Sequence, residues 1–258
     1  MKRNILLTIS YDGTNFSGWQ RQPDRLTVQG HLEEVLSKLF RTEILIDGTS
    51  RTDAGVHALG QRASFQMDVN IPIEKLPMVV NNALASYEKG AYAISPVRIA
   101  EAEEKPLDFH ARFDSKGKKY IYKIRNTRDV DLFQRNYVYH VPHELDLDAI
   151  RKAAKLIEGT HDFKCFEASG SNERETTVRT IYALDVVTRE SCPEEIEFHV
   201  SGDGFLYNMV RIITGTLVDV GTGRISPESI TEIIEAKDRR NAGHTAPPYG
   251  LYLAEVFY

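Results

Sequence analysis

The sequence predicts an α+β fold of two halves that together share one continuous, mainly antiparallel sheet. Three observations carry this. Strand-like and helix-like segments follow one another twice along the chain in a similar order. In the second half, Thr176 to Thr188 and Glu195 to Ser201 are rich in β-branched or aromatic residues with period-two stretches, the mark of an antiparallel pair. No long linker or low-complexity stretch interrupts the chain, and 258 residues suit one large domain or two closely joined ones.

In order, Asn4 to Ser10 reads as a strand, with Tyr11-Asp12-Gly13 as its closing turn. Thr27 to Phe40 reads as a helix capped by Thr27, because Val28, Leu32, Val35, Leu36 and Leu39 share one face. Glu43 to Asp47 is expected as a strand, Gly48 to Gly60 as a loop and Gln61 to Met67 as the next strand. Pro72 suits the first turn of a helix over Ile73 to Leu84. Ala91 to Ala100 and Lys118 to Arg125 look extended, and the junction of the halves is expected near Glu101 to Leu107. The halves are therefore residues 1–105 and 106–258. Leu147 to Glu158 is a helix closed by Gly159. Leu206 to Val220 is a mostly apolar, buried helix ended by Gly221. Ser226 as cap and Pro227 as first helical residue open another helix to about Asp238. Leu251 to Phe257 is the final strand, and no repeat is visible at the level of sequence.

Hydrophobic residues make up 41% and charged residues 27%, enough apolar material for a sizeable core. No apolar run approaches the roughly 18 residues of a membrane-spanning helix. The short apolar run after Lys2 and Arg3 lacks a small-residue cleavage site, so it reads as the first strand of a cytoplasmic protein. Cys165 and Cys192 fit no metal spacing and read as free thiols in a reducing compartment. The eight histidines form no H-E-x-x-H pattern, so no metal is expected. A net charge of -5 does not advertise a nucleic-acid binder, so RNA affinity would need local basic surface.

The segment richest in chemistry is Thr49-Ser50-Arg51-Thr52-Asp53-Ala54-Gly55-Val56-His57-Ala58-Leu59-Gly60-Gln61, which sets Arg, Asp and His between glycines in a loop. Taken alone, such a string can be a capped turn. Its company is more specific. Ile9-Ser10-Tyr11-Asp12-Gly13-Thr14-Asn15-Phe16-Ser17-Gly18-Trp19-Gln20 precedes it, then Thr27-Val28-Gln29. Phe109-His110-Ala111-Arg112-Phe113, Lys119-Tyr120-Ile121-Tyr122, Phe205-Leu206-Tyr207-Asn208-Met209-Val210-Arg211, Gly215-Thr216-Leu217 and Gly250-Leu251-Tyr252-Leu253 follow. In this order the segments resemble the TruA family of tRNA pseudouridine synthases over nearly the whole chain. Ser50 replaces the family's usual glycine, and Ala85 to Leu107 is longer than usual and lacks a common L-P-x-D-I run.

The resemblance implies a pseudouridine-synthase fold with a central cleft as active site. It implies a homodimer acting on tRNA, at uridines 38, 39 and 40 of the anticodon stem-loop. Breaking the N1–C1′ bond and rejoining uracil through C5 is redox-neutral and needs no cofactor. One carboxylate, Asp53, would serve, either attacking a carbon or removing a ribose proton. Arg211 resembles the arginine that pairs with it and opposes the upward pKa shift of desolvation. Arg51 resembles the arginine that holds the flipped nucleotide, Tyr120 the tyrosine that packs on the base, and Leu251 a pocket wall, with His57 also expected to contact substrate. Strand alternation puts Tyr120 and Tyr122 on one face and does not choose between them. The cations Arg112, Lys116, Lys118, Lys119, Lys123 and Arg125 are candidates for phosphate contact, with Arg21, Arg25, Arg62, Arg239 and Arg240 as additions. Two rival readings are a magnesium-dependent phosphohydrolase, from Asp12-Gly13-Thr14, and a non-catalytic RNA-binding module. The first lacks its nucleophile, because Ser10 stands where that aspartate belongs.

Overall fold

The computed structural model describes residues 2–68, 70–87, 95–170 and 175–258. These divide into two compact units, residues 1–116 with 253–258, and residues 117–252. The fold is mixed α+β with mostly antiparallel strand pairing.

In the first unit, β1 (Lys2–Tyr11) is flanked by antiparallel partners, β3 (His57–Asp68) and β4 (Val97–Lys105). The strand order is β4-β1-β3-β10, with β10 being Leu251–Phe257 and the two-residue β2 (Asp47–Gly48) pairing β3. Ile5, Leu6 and Leu7 are all fully buried, so β1 is covered on both faces, and this explains an apolar run without alternation. Helices α1 (Val28–Phe40) and α2 (Leu76–Tyr87) belong to this unit. Thr27 caps α1 as expected, accepting from the Gly30 N–H at 3.3 Å, and Val28, Leu32, Val35 and Leu36 are buried.

In the second unit the order is β5-β9-β8-β7, with β5 Gly117–Arg125, β7 Gly159–Asp162, β8 Val178–Arg189 and β9 Cys192–Gly202. The β5/β9, β8/β9 and β7/β8 pairs are antiparallel, and a short β6 (Tyr139–His140) runs parallel to β5. The helices are α3 (Leu147–Ile157), α4 (Met209–Gly221) and α5 (Ser229–Ala236). Twelve of the thirteen residues of α4 are buried, Arg211 being the exception.

Several boundaries differ from expectation. β3 starts at His57, because Ala58 already pairs with Tyr11, so the glycine-rich loop shrinks to 49–56 and β2 is only two residues long. Ile73–Lys75 forms a 3-10 turn before α2 begins at Leu76. Ser226 does not cap α5, since its hydroxyl donates to the Glu228 carboxylate instead. The junction falls after Lys116 because the segment following β4 is tied to the first unit. Asn4 Nδ2 donates to the Pro106 and Phe109 carbonyls, each at 2.8 Å, and the Lys116 N–H donates to the Phe257 carbonyl at 2.8 Å. Part of the extended stretch expected over Ala91 to Ala100, residues 91–94, lies outside the described residues. Among the described residues no helix is long and apolar enough to cross a membrane, and no group of three or more His, Cys, Asp or Glu could hold a metal ion. Cys165 and Cys192 are free thiols, and burial pushes the Cys165 pKa up to about 12.

Candidate active site

The Asp53 loop is built by interlocking two segments that are well separated in sequence. The first is 11–19, whose turn is fixed locally: Asp12 Oδ1 accepts from the Thr14 N–H at 3.0 Å and from the Thr14 hydroxyl at 2.6 Å. That self-capping explains the Asp-Gly-Thr string as turn chemistry. The second is the loop itself. The Trp19 N–H donates to the Thr52 carbonyl at 3.0 Å, the Gly55 N–H reaches the Phe16 carbonyl at 3.4 Å, and the Val56 N–H closes a turn onto the Asp53 carbonyl at 3.2 Å. Tyr11 and Thr52 join hydroxyls at 2.7 Å in a buried hydrogen bond.

Two glycines make this approach feasible. A Cβ on Gly18, whose φ is +93°, would lie 2.7 Å from the Thr52 carbonyl oxygen and 3.2 Å from the Asp53 carbonyl carbon. A Cβ on Gly13 would lie 2.0 Å from the Val56 oxygen. The 2.7 and 2.0 Å distances are below contact, so the loop can pack against this backbone only where side chains are missing. On the other side, fully buried Gln61 clamps Ser50, donating to its carbonyl at 2.7 Å and accepting its N–H at 3.2 Å. Ser50, the departure from the usual glycine, is itself buried. The outcome is a rigid backbone carrying a partly exposed Asp53 side chain and an exposed Arg51. His57 is buried, its Nδ1 3.1 Å from the Gly13 nitrogen and 3.3 Å from Asp12 Oδ1. The Gly13 N–H needs a lone pair on that nitrogen, whereas the carboxylate needs a proton there. The shorter contact favours the lone pair, and hence the tautomer protonated at Nε2.

In the second unit the two tyrosines of β5 part company. Tyr122 is fully buried and donates its hydroxyl to the Pro247 carbonyl at 2.7 Å. Burial holds its pKa well above the usual tyrosine range, against the pull of the nearby Arg211 charge. Tyr120 keeps 6% exposure and meets Phe205 edge-on, with ring centroids 5.1 Å apart. Both rings are thus buried, and the alternation did not reveal that the Tyr122 hydroxyl is committed to a backbone carbonyl. Arg211 stands in the first turn of α4, just after Asn208 at φ 60°, a left-handed conformation that asparagine tolerates. Its Nε donates to the Ala246 carbonyl at 2.8 Å and its Nη1 to Asn208 Oδ1 at 2.6 Å. Arg211 and Tyr122 thus grip consecutive carbonyls of the segment leading to Leu251, which is 6% exposed.

The basic residues divide. Arg125 is engaged by Glu194 and Glu195 at 3.2 and 2.7 Å, and Lys123 lies 4.7 Å over the Tyr252 ring. Arg21 pairs with Glu33, Arg62 with Glu103 and Arg240 with Asp238, so these three are held by carboxylates. Arg112 is exposed. A groove of about 590 Å³ at the start of α1, lined by Arg21, Arg25, Leu26, Glu33 and Glu34 among others, holds two of the phosphate-contact candidates but none of Asp53, Arg51, His57, Tyr120, Arg211 and Leu251.

Comparison with known proteins identifies the family. The protein-family model described as tRNA pseudouridine synthase matches residues 7–114 and 153–258, a span that includes Asp53, Arg211 and Leu251 but not Tyr120. The chain is 47% identical to tRNA pseudouridine synthase A 2 of Clostridium tetani, covering 100% of both. It is 44% identical to tRNA pseudouridine synthase A of Caldicellulosiruptor bescii, over 99% of this chain and 100% of that one. It is likewise 44% identical to tRNA pseudouridine synthase A of a Geobacillus species, over 100% and 99% respectively. A family match over most of the chain, with full-length relatives at this identity, establishes that the chain belongs to the tRNA pseudouridine synthase family and is an isomerase.

Proposed function

We propose that this enzyme converts uridine to pseudouridine in the anticodon stem-loop of tRNA, at positions 38, 39 and 40, with Asp53 as the catalytic carboxylate. The observation that carries the reading is the rigid cradle under Asp53: backbone hydrogen bonds and the close approach of Gly13 and Gly18 hold the loop while the carboxylate-bearing side chain stays partly exposed. A reacting group held in this way loses little freedom at the transition state.

The target base leaves its stack, at a cost of a few kcal/mol. Exposed Arg51 meets the vacated space and phosphate, and Tyr120 offers a ring to the flipped uracil, where stacking is worth roughly 1–3 kcal/mol. Leu251 walls the pocket, and buried His57 braces the adjoining turn through Gly13 and Asp12. Asp53 acts on the ribose or on the base, the N1–C1′ bond breaks, uracil turns, and C1′ rejoins at C5. The C5 proton then leaves and N1 is left protonated, so atoms and electrons balance without a cofactor. Arg211 is the counter-charge that keeps the carboxylate ionised in a desolvated setting. The enzyme works in the cytoplasm as a homodimer whose subunits share one tRNA.

Asp53→Asn tests the central assignment, because it preserves shape while removing the anion. Isomerisation should become undetectable and tRNA affinity should persist, since phosphate contacts supply much of it. Turnover within tenfold of the parent removes Asp53 from the chemistry. Mapping pseudouridine in tRNA from cells with and without the protein checks positions 38 to 40.

A further inference from the structure

Among the buried polar side chains of helix α4 are Thr216 at 0% and Asp219 at 7% exposure. Both face residues 239–247, an irregular strap that crosses the helix. The crossing is tight: a Cβ on Gly215 would lie 1.8 Å from the His244 carbonyl oxygen. The Gly243 N–H donates to Thr216 Oγ1 at 2.9 Å. Asp219 Oδ2 accepts the His244 N–H at 3.3 Å and lies 3.1 Å from His244 Nδ1. The other oxygen, Oδ1, accepts from Arg224 Nη1 at 3.1 Å. His244 Nε2 is 3.1 Å from the Tyr139 hydroxyl, so the imidazole is held at both ends. Arg239 ties the same stretch together, reaching the Gly243 carbonyl at 2.9 Å and Thr245 Oγ1 at 3.0 Å.

Two residues further along, this strap becomes the partner of Arg211. The Ala246 carbonyl accepts from Arg211 Nε at 2.8 Å, and the Ala246 N–H donates to the Arg211 carbonyl at 3.1 Å. The guanidinium is planar, so fixing Nε on one acceptor and Nη1 on Asn208 sets the direction of the whole fork. Its aim depends on where the Ala246 carbonyl sits, and that depends on how the strap is anchored. A carboxylate buried as deeply as Asp219 needs partners, and His244 supplies two of its contacts from the strap.

We propose that Asp219, acting through His244 and the strap, is a positioning residue for Arg211. It does not touch the reacting atoms. It fixes the segment whose carbonyl aims the guanidinium. The proposal rests on the reading of Arg211 as the counter-charge of the catalytic carboxylate.

The test uses the full-length enzyme and five variants: Asp219→Asn, His244→Gln, Arg211→Lys, Arg211→Met and the double variant Asp219→Asn with Arg211→Lys. An amide at 219 keeps the shape but changes the pairing with His244. The expected result is a kcat lowered about tenfold, as for a displacement of a fraction of an ångström. The KM for tRNA should stay within twofold, and the acid limb of the pH–rate profile should move upward. His244→Gln should repeat this pattern and gives the same readout should Asp219→Asn not fold. Arg211→Lys cannot use the Ala246 carbonyl through a guanidinium Nε. In that background Asp219→Asn should therefore cost little more, and the two losses should not multiply. Parental kcat and acid limb in Asp219→Asn or its His244→Gln substitute, beside an impaired Arg211→Lys, would overturn the proposal alone. So would losses that multiply in the double variant, which would mark an independent structural role. Parental behaviour of Arg211→Lys and Arg211→Met would overturn the reading of Arg211, and the proposal with it.

Discussion

Gly18→Ala probes the cradle directly. At φ +93° an alanine pays about 1–2 kcal/mol for a left-handed conformation. Its Cβ would also sit 2.7 Å from the Thr52 carbonyl oxygen, 3.2 Å from the Asp53 carbonyl carbon and 3.3 Å from the Ala54 nitrogen. All three atoms belong to the loop, so relief must come from moving the loop. An ordinary carbon–oxygen approach is about 3.3 Å, which sets the displacement near ~0.6 Å. Misplacement by 1 Å can cost about a hundredfold in rate, so roughly tenfold is expected here. The stability cost, about 2 kcal/mol or somewhat more, should lower Tm by about 4–8 °C for a chain of this size. Gly170→Ala is the control, since Gly170 has φ +84° and, among the described residues, nothing within 4 Å of its would-be Cβ. That variant should show the backbone cost, about 1 kcal/mol after the unfolded-state offset, with parental kcat. Steady-state isomerisation on a purified anticodon stem-loop, with Tm in parallel, separates the two effects. A Gly18→Ala enzyme with lowered Tm and undiminished kcat would refute the idea that the cradle positions Asp53.

Further outcomes follow from the two β5 tyrosines. Tyr120→Leu should slow the rearrangement by losing a stacking surface worth roughly 1–3 kcal/mol. Tyr120→Phe should keep the positioning and, where the hydroxyl assists C5 deprotonation, show a larger isotope effect on C5-deuterated uridine. Parental rates in both variants remove Tyr120 from the site. Tyr122→Phe deletes the bond to the Pro247 carbonyl and should cost about 1 kcal/mol of stability. Burial raises the folded-state pKa of Tyr122, as it does for Tyr139 and Tyr258. The stability they contribute is therefore fully present below the unfolded tyrosine value of about 10 and declines as pH rises above it. Tyr122→Phe should flatten this alkaline loss, and an unchanged Tm-versus-pH curve between pH 9 and about 11 would count against that burial effect.

Much of the local structure was legible in the sequence. Periodicity located α1 with its Thr27 cap, the apolar α4 and the antiparallel pair β8/β9, because these signals lie within a few residues of one another. The Arg51-Thr52-Asp53 loop was also legible, since glycines and charges between two strands leave little else for that segment to be. Tertiary structure alone decided what each buried polar group spends its hydrogen bonds on. Tyr11 meets Thr52 across 41 residues of sequence, and Tyr122 meets Pro247 across 125, so no local pattern could assign either partner. The same holds for the unit boundary, drawn past Lys116 by bonds back to Asn4 and Phe257. Gly13 and Gly18 were visible as letters, but their purpose exists only once the 49–56 loop lies against them. A missing side chain has meaning only through the backbone that fills its place, and three-dimensional packing supplies that backbone.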